Sequence, residues 1–201
     1  MDKAIANKLQ SIVKSTTIIK QFSKADLTWQ KKIASSLVSG TESVCVVIPD
    51  TVDALATVVK TAYNERWKIL PCGNGSKLDW GALNEDVGLV VSTQKCDRII
   101  EQAIDDLTVT VEAGVKLADL QASLRATNQF LPIDPAFADV ATIGGILATA
   151  DTGSWRQQYG GIRDLVLGIS FIRGDGEIAS AGGRVVKNVA GYDLMKLFIG
   201  S

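Results

Sequence analysis

Lys68-Ile69-Leu70-Pro71-Cys72-Gly73-Asn74-Gly75-Ser76-Lys77-Leu78 is the stretch whose reading decides the fold. Its first part, Lys68 to Pro71, is short and apolar and reads as a strand. It breaks off into Gly-Asn-Gly, a hydroxyl and a cation. Glycines on either side of Asn74 let the backbone turn with positive φ. Successive N–H groups then point into one concavity, an anion-binding nest. Ser76 adds a hydroxyl donor and Lys77 a positive charge, which suits a diphosphate. The run is not a Walker loop, because G-x-x-x-x-G-K-[ST] is not matched. It is not the dinucleotide G-x-G-x-x-G either, because Leu78 stands where the third glycine belongs. A plain Gly-Asn-Gly turn between two strands is the alternative.

Upstream, Val44-Cys45-Val46-Val47-Ile48 is continuous and β-branched, the pattern of a strand buried on both faces. Pro49-Asp50-Thr51 opens a helix with Asp50 or Thr51 as N-cap, and Val52, Leu55, Val58, Val59 and Ala62 follow at helical spacing. Strand, helix and strand in about 30 residues form a βαβ unit and imply a parallel pair. Residues 1–40 read as an N-terminal helical extension of two helices. Ile5, Leu9, Ile12 and Val13 share a face of the first, and Trp29 to Leu37 is the second, stopped by Gly40.

Downstream, Val87 to Val91 is a third strand and Leu107 to Val111 a fourth. Val115 to Gln129 is a helix with Leu117, Leu120 and Leu124 inward. Val166 to Ile172 and Glu177 to Ala179 flank Arg173-Gly174-Asp175-Gly176 as a hairpin. The expected fold is α+β in two lobes. A small parallel α/β lobe spans about 41–106, and a larger lobe with a mostly antiparallel sheet spans about 107–201.

Two further glycine-rich stretches carry chemistry. In Ala141-Thr142-Ile143-Gly144-Gly145-Ile146-Leu147-Ala148-Thr149-Ala150, small residues allow close approach of a flat ligand or of another backbone. The threonines Thr142 and Thr149 offer hydroxyl donors; the alternative is a glycine-broken core helix. In Gly153 to Asp164, Arg156 and Arg163 are placed to neutralise phosphate with fork geometry. Asp164 pairs with an arginine in the structural alternative, a solvated polar loop. Each stretch follows or precedes a short strand, and together they can wrap an extended ligand with a diphosphate in its middle.

Composition narrows the chemistry. The chain has 201 residues and a net charge of −1, which gives no reason to expect nucleic-acid or membrane-surface binding. There is no histidine, so the commonest general base and metal ligand are missing. Three cysteines without paired spacing read as free thiols in a reducing compartment, and no metal site is expected. Cys72 is a candidate reactive thiol if loop N–H groups lower its pKa, against the commoner case of a small buried cysteine. No apolar run approaches the roughly 20 residues of a membrane span, and the chain reads as cytoplasmic.

The three stretches, in this order and spacing, resemble the FAD-binding PCMH-type domain of the vanillyl-alcohol-oxidase-like flavoproteins. Pro71 to Leu78 is similar to the first diphosphate loop of that family. Asp134-Pro135 through Thr142 to Thr149 is similar to the second, and Tyr159-Gly160-Gly161-Ile162-Arg163-Asp164-Leu165-Val166-Leu167-Gly168 to the third. Lys187-Asn188-Val189-Ala190-Gly191-Tyr192-Asp193 and the residues to Ser201 resemble a segment of the glycolate and D-lactate branch that precedes a Glu-Gly-Thr-Leu-Gly run. The resemblance covers about residues 41–201 and implies a chain cut before its cap domain.

The resemblance implies FAD extended between the two lobes. The backbone of Gly73, Asn74, Gly75 and Ser76 would hold the diphosphate, with Thr142, Gly144 and Gly145 assisting. Pro71, Cys72, Lys77, Leu78, Pro135, Ile143, Ala148, Thr149, Arg156, Tyr159, Gly160, Arg163, Asp164 and Leu167 would complete the cofactor site. Gly75 stands where some members carry a flavin-linking histidine, so the FAD is expected to be non-covalent. The activity implied is oxidation of a small 2-hydroxy acid, with electrons leaving to a second flavin subunit, an iron–sulfur subunit or another acceptor. Catalytic residues are expected in the missing cap, leaving this chain inactive alone. The alternative is a non-catalytic structural subunit of a flavin oxidoreductase, with weak FAD binding or none.

Overall fold

A computed structural model describes residues 2–13, 16–25, 27–38, 44–183 and 193–200. The chain divides into two units, one running to Cys96 together with Gly174–Glu177, the other holding Asp97–Arg173 and the residues from Ile178 on. The first unit contains α1 (Asp2–Ile12), β1 (Ile18–Gln21), α2 (Leu27–Ala34), β2 (Cys45–Ile48), α3 (Val52–Asn64), β3 (Ile69–Cys72) and β4 (Leu89–Ser92). The strands form one sheet in the order β1-β2-β4-β3.

Every residue of β2 and β4 is buried, as continuous apolar runs require of strands covered on both faces. One face packs Cys45, Val47, Leu89 and Val91 against Ile5 and Leu9 of α1 and Val58 and Ala62 of α3. The other face packs Val46, Ile48 and Val90 against Ile33 of α2 and Leu37. Of the two candidate caps, Thr51 starts α3, its hydroxyl oxygen accepting from Ala54 N at 3.1 Å. The helix ends at Glu65, followed by Arg66 in the left-handed region with φ 55°.

The sheet differs from the sequence expectation in two respects. The parallel βαβ arrangement is present, but β2 and β3 are not neighbours; each pairs in parallel with β4, which lies between them. The N-terminal segment holds a strand as well as two helices, since β1 pairs antiparallel with β2, Ile18 opposite Ile48. Four residues are too few to display a period of two, and this pairing is decided by the partner strand. Of the helix face expected in α1, Ile5 and Leu9 are buried while Ile12 is exposed. The expected stop at Gly40 lies outside the described residues.

The second unit contains β5 (Ile99–Ala103), β6 (Thr108–Val111), α4 (Leu117–Arg125), α5 (Ile143–Thr149), α6 (Arg156–Tyr159), α7 (Ile162–Leu165), β7 (Gly168–Ile172), β8 (Ile178–Gly182) and α8 (Leu194–Phe198). Its strands form two antiparallel pairs, β5-β6 and β7-β8, which agrees with the α+β expectation. The turn of the second pair is the one read from Arg173-Gly174-Asp175-Gly176, with Gly176 at φ +86°. Sequence periodicity missed β5, whose Ile99 and Ile100 are both exposed. Leu117, Leu120 and Leu124 of α4 point inward as their spacing predicts.

Leu9 is 0% exposed and sits where α1 meets the sheet. Leu9→Ala is expected to lower unfolding stability by about 2–5 kcal/mol, the range for emptying a packed leucine site, seen as a lower urea midpoint with an unchanged slope. A shift below about 0.5 kcal/mol would show that α1 does not hold the unit together.

Candidate functional site

The first glycine loop leaves the carboxyl end of β3, where open parallel sheets place ligands. Gly75 adopts φ +68°, and it is the one residue of the run 73–76 with a positive φ. Among the described residues, the N–H groups of Gly73, Gly75 and Ser76 have no protein acceptor. Donors left open beside a change of backbone hand are what an anion nest needs. Lys77 is turned aside, with its Nζ 5.0 Å from the centre of the Trp80 ring.

Three side chains that the sequence reading passed over hold this loop. The Ser92 hydroxyl, at the end of β4, donates to Gly73 O at 2.7 Å and accepts from Gln94 N at 3.3 Å. Lys32 of α2 donates from Nζ to Asn74 O at 2.8 Å. Trp29, one helical turn before Lys32, also lies against Gly75, where an added Cβ would come 3.6 Å from its ring. A cation and an aromatic spaced i, i+3 beside the buried Ile33 are the only sequence signal for this contact. The spacing does not reveal which loop they meet.

Burial pushes the Cys72 thiol up to about 12, against smaller opposing effects from Ser92 and Lys32. It is therefore a protonated thiol at neutral pH, the commoner of the two cases considered.

The second stretch, in the other unit, forms α5 with Thr142 as N-cap, its hydroxyl oxygen accepting from Gly145 N at 3.3 Å. This is the glycine-interrupted helix considered as the alternative. Its first N–H groups are occupied by protein. Ile143 N donates to Val115 O and Gly144 N to Ala113 O, both at 2.8 Å. A Cβ on Gly144 would come 2.8 Å from the Ala113 Cβ, so this glycine admits another backbone. The Thr149 hydroxyl donates to Gly145 O at 2.9 Å within the helix. Pro135 is buried and Ala148 exposed.

The third stretch is laced to the segment before α5 by one carboxylate. Asp134 accepts from Trp155 N at 2.8 Å and from the Ser154 hydroxyl, while Asp134 N donates to Thr152 O at 2.9 Å. Gly153, at φ +79°, lies so close that a Cβ there would run into the Asp134 carbonyl. Ile162 N donates to the Thr152 hydroxyl at 2.9 Å. Asp164 accepts from Gly161 N at 3.3 Å and faces Lys196 at 3.8 Å, so its partner is a lysine where an arginine was considered. Arg163 donates to Lys196 O, which turns it to the protein. Tyr159 stands edge-on to Phe130 with ring centres 5.8 Å apart, and Gly160 turns the chain at φ +85°. Leu167 is half-buried and Arg156 exposed. The residues 187–192, part of the C-terminal resemblance, lie outside the described residues.

A strand-loop nest of open N–H groups at the carboxyl end of an α/β sheet is the kind of site that binds a diphosphate-containing nucleotide. The family described as "FAD binding domain" matches residues 44–182. The chain belongs to this family, and FAD is its cofactor. It is 33% identical over 156 residues to "Glycolate oxidase subunit GlcD" of Bacillus subtilis, covering 78% of this chain and 33% of the relative. It is 35% identical over 159 residues to "Probable D-lactate dehydrogenase, mitochondrial" of Danio rerio, covering 78% and 32%. To "Glycolate oxidase subunit GlcE" of Escherichia coli it is 35% identical over 154 residues, covering 76% and 43%. Among solved structures, alkyldihydroxyacetonephosphate synthase superposes with TM-score 0.75 at 17% identity, covering 98% of this chain and 40% of that one. A berberine bridge enzyme variant gives 0.74 at 14%, covering 100% and 40%. These structures share the fold. The chain spans about a third of the length of the first curated relatives it matches.

The Asp134 carboxyl is held below the usual aspartate range, chiefly by the Ser154 hydroxyl and then by Trp155 N–H. A depressed folded-state pKa gives stability that is present above about pH 4 and lost as pH falls through the folded value. Asp134→Asn is expected to lower Tm at pH 7, and the gap to the parent protein is expected to narrow as pH falls from about 4 through the lowered folded value. A gap that stays constant from pH 7 to pH 2 would show that the charge has no part in joining these segments.

Proposed function

We propose that this chain is the FAD-binding portion of an oxidoreductase that oxidises a small 2-hydroxy acid of the glycolate or D-lactate type. The observation that carries the cofactor assignment is the set of open N–H groups at Gly73, Gly75 and Ser76 beyond β3. In this reading they bind the FAD diphosphate, and the Ser76 hydroxyl adds a donor. The N–H groups at the start of α5 are already bonded to Val115 and Ala113. In the second stretch Gly145, Ala148 and Thr149 keep surface for a ligand, while Pro135 and Thr142 are buried. In the third, Arg156, Tyr159, Gly160 and Leu167 are the ligand-facing candidates, while Arg163 and Asp164 hold the turn together.

When bound, FAD supplies the redox chemistry by accepting the electron pair taken from the substrate. This chain's residues bind and orient it. The names of the relatives support the substrate class and a multi-subunit assembly, since two of them are glycolate oxidase subunits. A second flavin subunit and an iron–sulfur subunit are the partners assigned here. No catalytic group is assigned among these residues, and the role proposed for them is binding the FAD. Among the described residues no helix is long and apolar enough to cross a membrane, and no cluster of His, Cys, Asp or Glu could hold a metal.

With no histidine in the sequence, a histidyl link cannot form, and the FAD is assigned as non-covalent. The protein reconstituted with FAD is expected to be yellow after gel filtration and to release all its flavin on denaturation. Flavin that stayed on the denatured polypeptide would exclude the non-covalent assignment. A folded, colourless protein would favour the non-catalytic subunit. Gly75→Val places a β-branched side chain at φ +68°, 3.3 Å from Lys32 Cδ, and is expected to weaken FAD binding at least about tenfold. Unchanged affinity would move the diphosphate elsewhere.

A further inference from the structure

This inference rests on the placement of the FAD diphosphate at the first glycine loop. Lys32 lies on α2, outside the residues 44–182 that match the family. It is nevertheless built into the loop. A Cβ on Gly75 would come 3.3 Å from Lys32 Cδ, and Lys32 Nζ donates to Asn74 O at 2.8 Å. The ammonium sits 5.9 Å from the centre of the Trp29 ring. Ile33, the next residue, is 0% exposed and fixes this part of α2 on the sheet. Among the described residues no carboxylate pairs with Lys32.

Asn74 C=O and Gly75 N–H belong to one trans peptide unit and point in opposite directions; no peptide bond here is cis. An ammonium that holds the carbonyl on one side of the loop therefore sets the Gly75 N–H on the other. Withdrawing electron density from that carbonyl also makes the N–H a stronger donor, since bonds in series polarise one another. We propose that Lys32 is a positioning residue for the cofactor: the N-terminal helix α2 locks the Asn74–Gly75 peptide so that the Gly75 N–H faces the FAD diphosphate. The segment before the matched domain is thereby part of the cofactor site.

The test is FAD titration of the apo form of the purified full chain, carrying Lys32→Met, Lys32→Gln, Lys32→Arg or Lys31→Met. Lys31, on the same helix, is exposed and serves as the control. Lys32→Met is expected to bind FAD about tenfold more weakly, the loss typical of one charge-assisted hydrogen bond. Lys32→Arg, which keeps a charged donor, should restore affinity to within about threefold, and Lys31→Met should leave it unchanged. Lys32→Gln keeps a neutral donor and should fall between Met and Arg; it carries the test if Lys32→Met does not fold. The proposal is overturned if Lys32→Gln and Lys32→Met bind as tightly as the parent. It is also overturned if Lys32→Arg is no better than Lys32→Met, or if Lys31→Met is as damaging. Failure of the parent protein itself to bind FAD would instead remove the diphosphate placement, and this inference with it.

Discussion

The first unit depends on the burial of β4 between two parallel partners. A strand with neighbours on both edges is held in register by two ladders at once, and a slip by one residue would also exchange the side chains packed on its two faces. Leu89 and Val91 meet α1 and α3, and Val90 meets the side carrying α2. That register fixes Ser92 at the carboxyl end of the sheet, from which its hydroxyl reaches Gly73. The glycine loop is thus tied to the most constrained strand by one hydrogen bond and to a surface helix by another. Two carbonyls of the loop, Gly73 and Asn74, are anchored, and among the described residues the N–H groups of Gly73, Gly75 and Ser76 have no internal acceptor. A loop held in that state keeps its donors aimed before any ligand arrives, which lowers the ordering cost of binding.

The other unit uses its glycines differently. Gly144 admits the Ala113 backbone, and Gly153 admits the Asp134 carbonyl. These positions have little spare room, and their N–H groups or neighbouring carboxylates are spent on internal bonds. Glycine-rich sequence therefore marks two physical situations in this protein, an open nest in one unit and close chain-to-chain packing in the other. The composition of the stretches does not distinguish them. The acceptors that occupy the N–H groups of Ile143 and Gly144 lie about 30 residues earlier, at Ala113 and Val115.

That separation explains what the sequence could disclose. Elements whose cause is local were legible: the β-branched run at Val44, the inward leucines of α4, the turn at Gly174, and the strand-to-glycine break after Ile69. Elements whose cause is a distant partner were not. The strand Ile18–Gln21 exists because β2 offers an edge, and β4 lies between β2 and β3 because its burial demands two neighbours. The first loop stands out in the sequence as a candidate site. Lys32 and Ser92, which hold it, do not, because they act across 42 and 19 residues of chain respectively. Conversely, the arginines of the third stretch looked like phosphate ligands from their charge alone, and only the fold turns Arg163 to the carbonyl of Lys196.

The strand order β1-β2-β4-β3 also has a kinetic meaning. The central strand is the last of the four to be synthesised. Until Ser92 has left the ribosome, β2 and β3 have no parallel partner, and the only pairing available is the antiparallel one between β1 and β2. Long-range parallel pairing is slow because loop closure precedes any reward in contacts. During that interval the edge of β2 that β4 will occupy stands unpaired, the state in which nascent chains associate wrongly. Early pairing with β1 closes the outer edge of the nascent β2, and α1 and α2 are already at hand to cover its two faces while it waits for its centre.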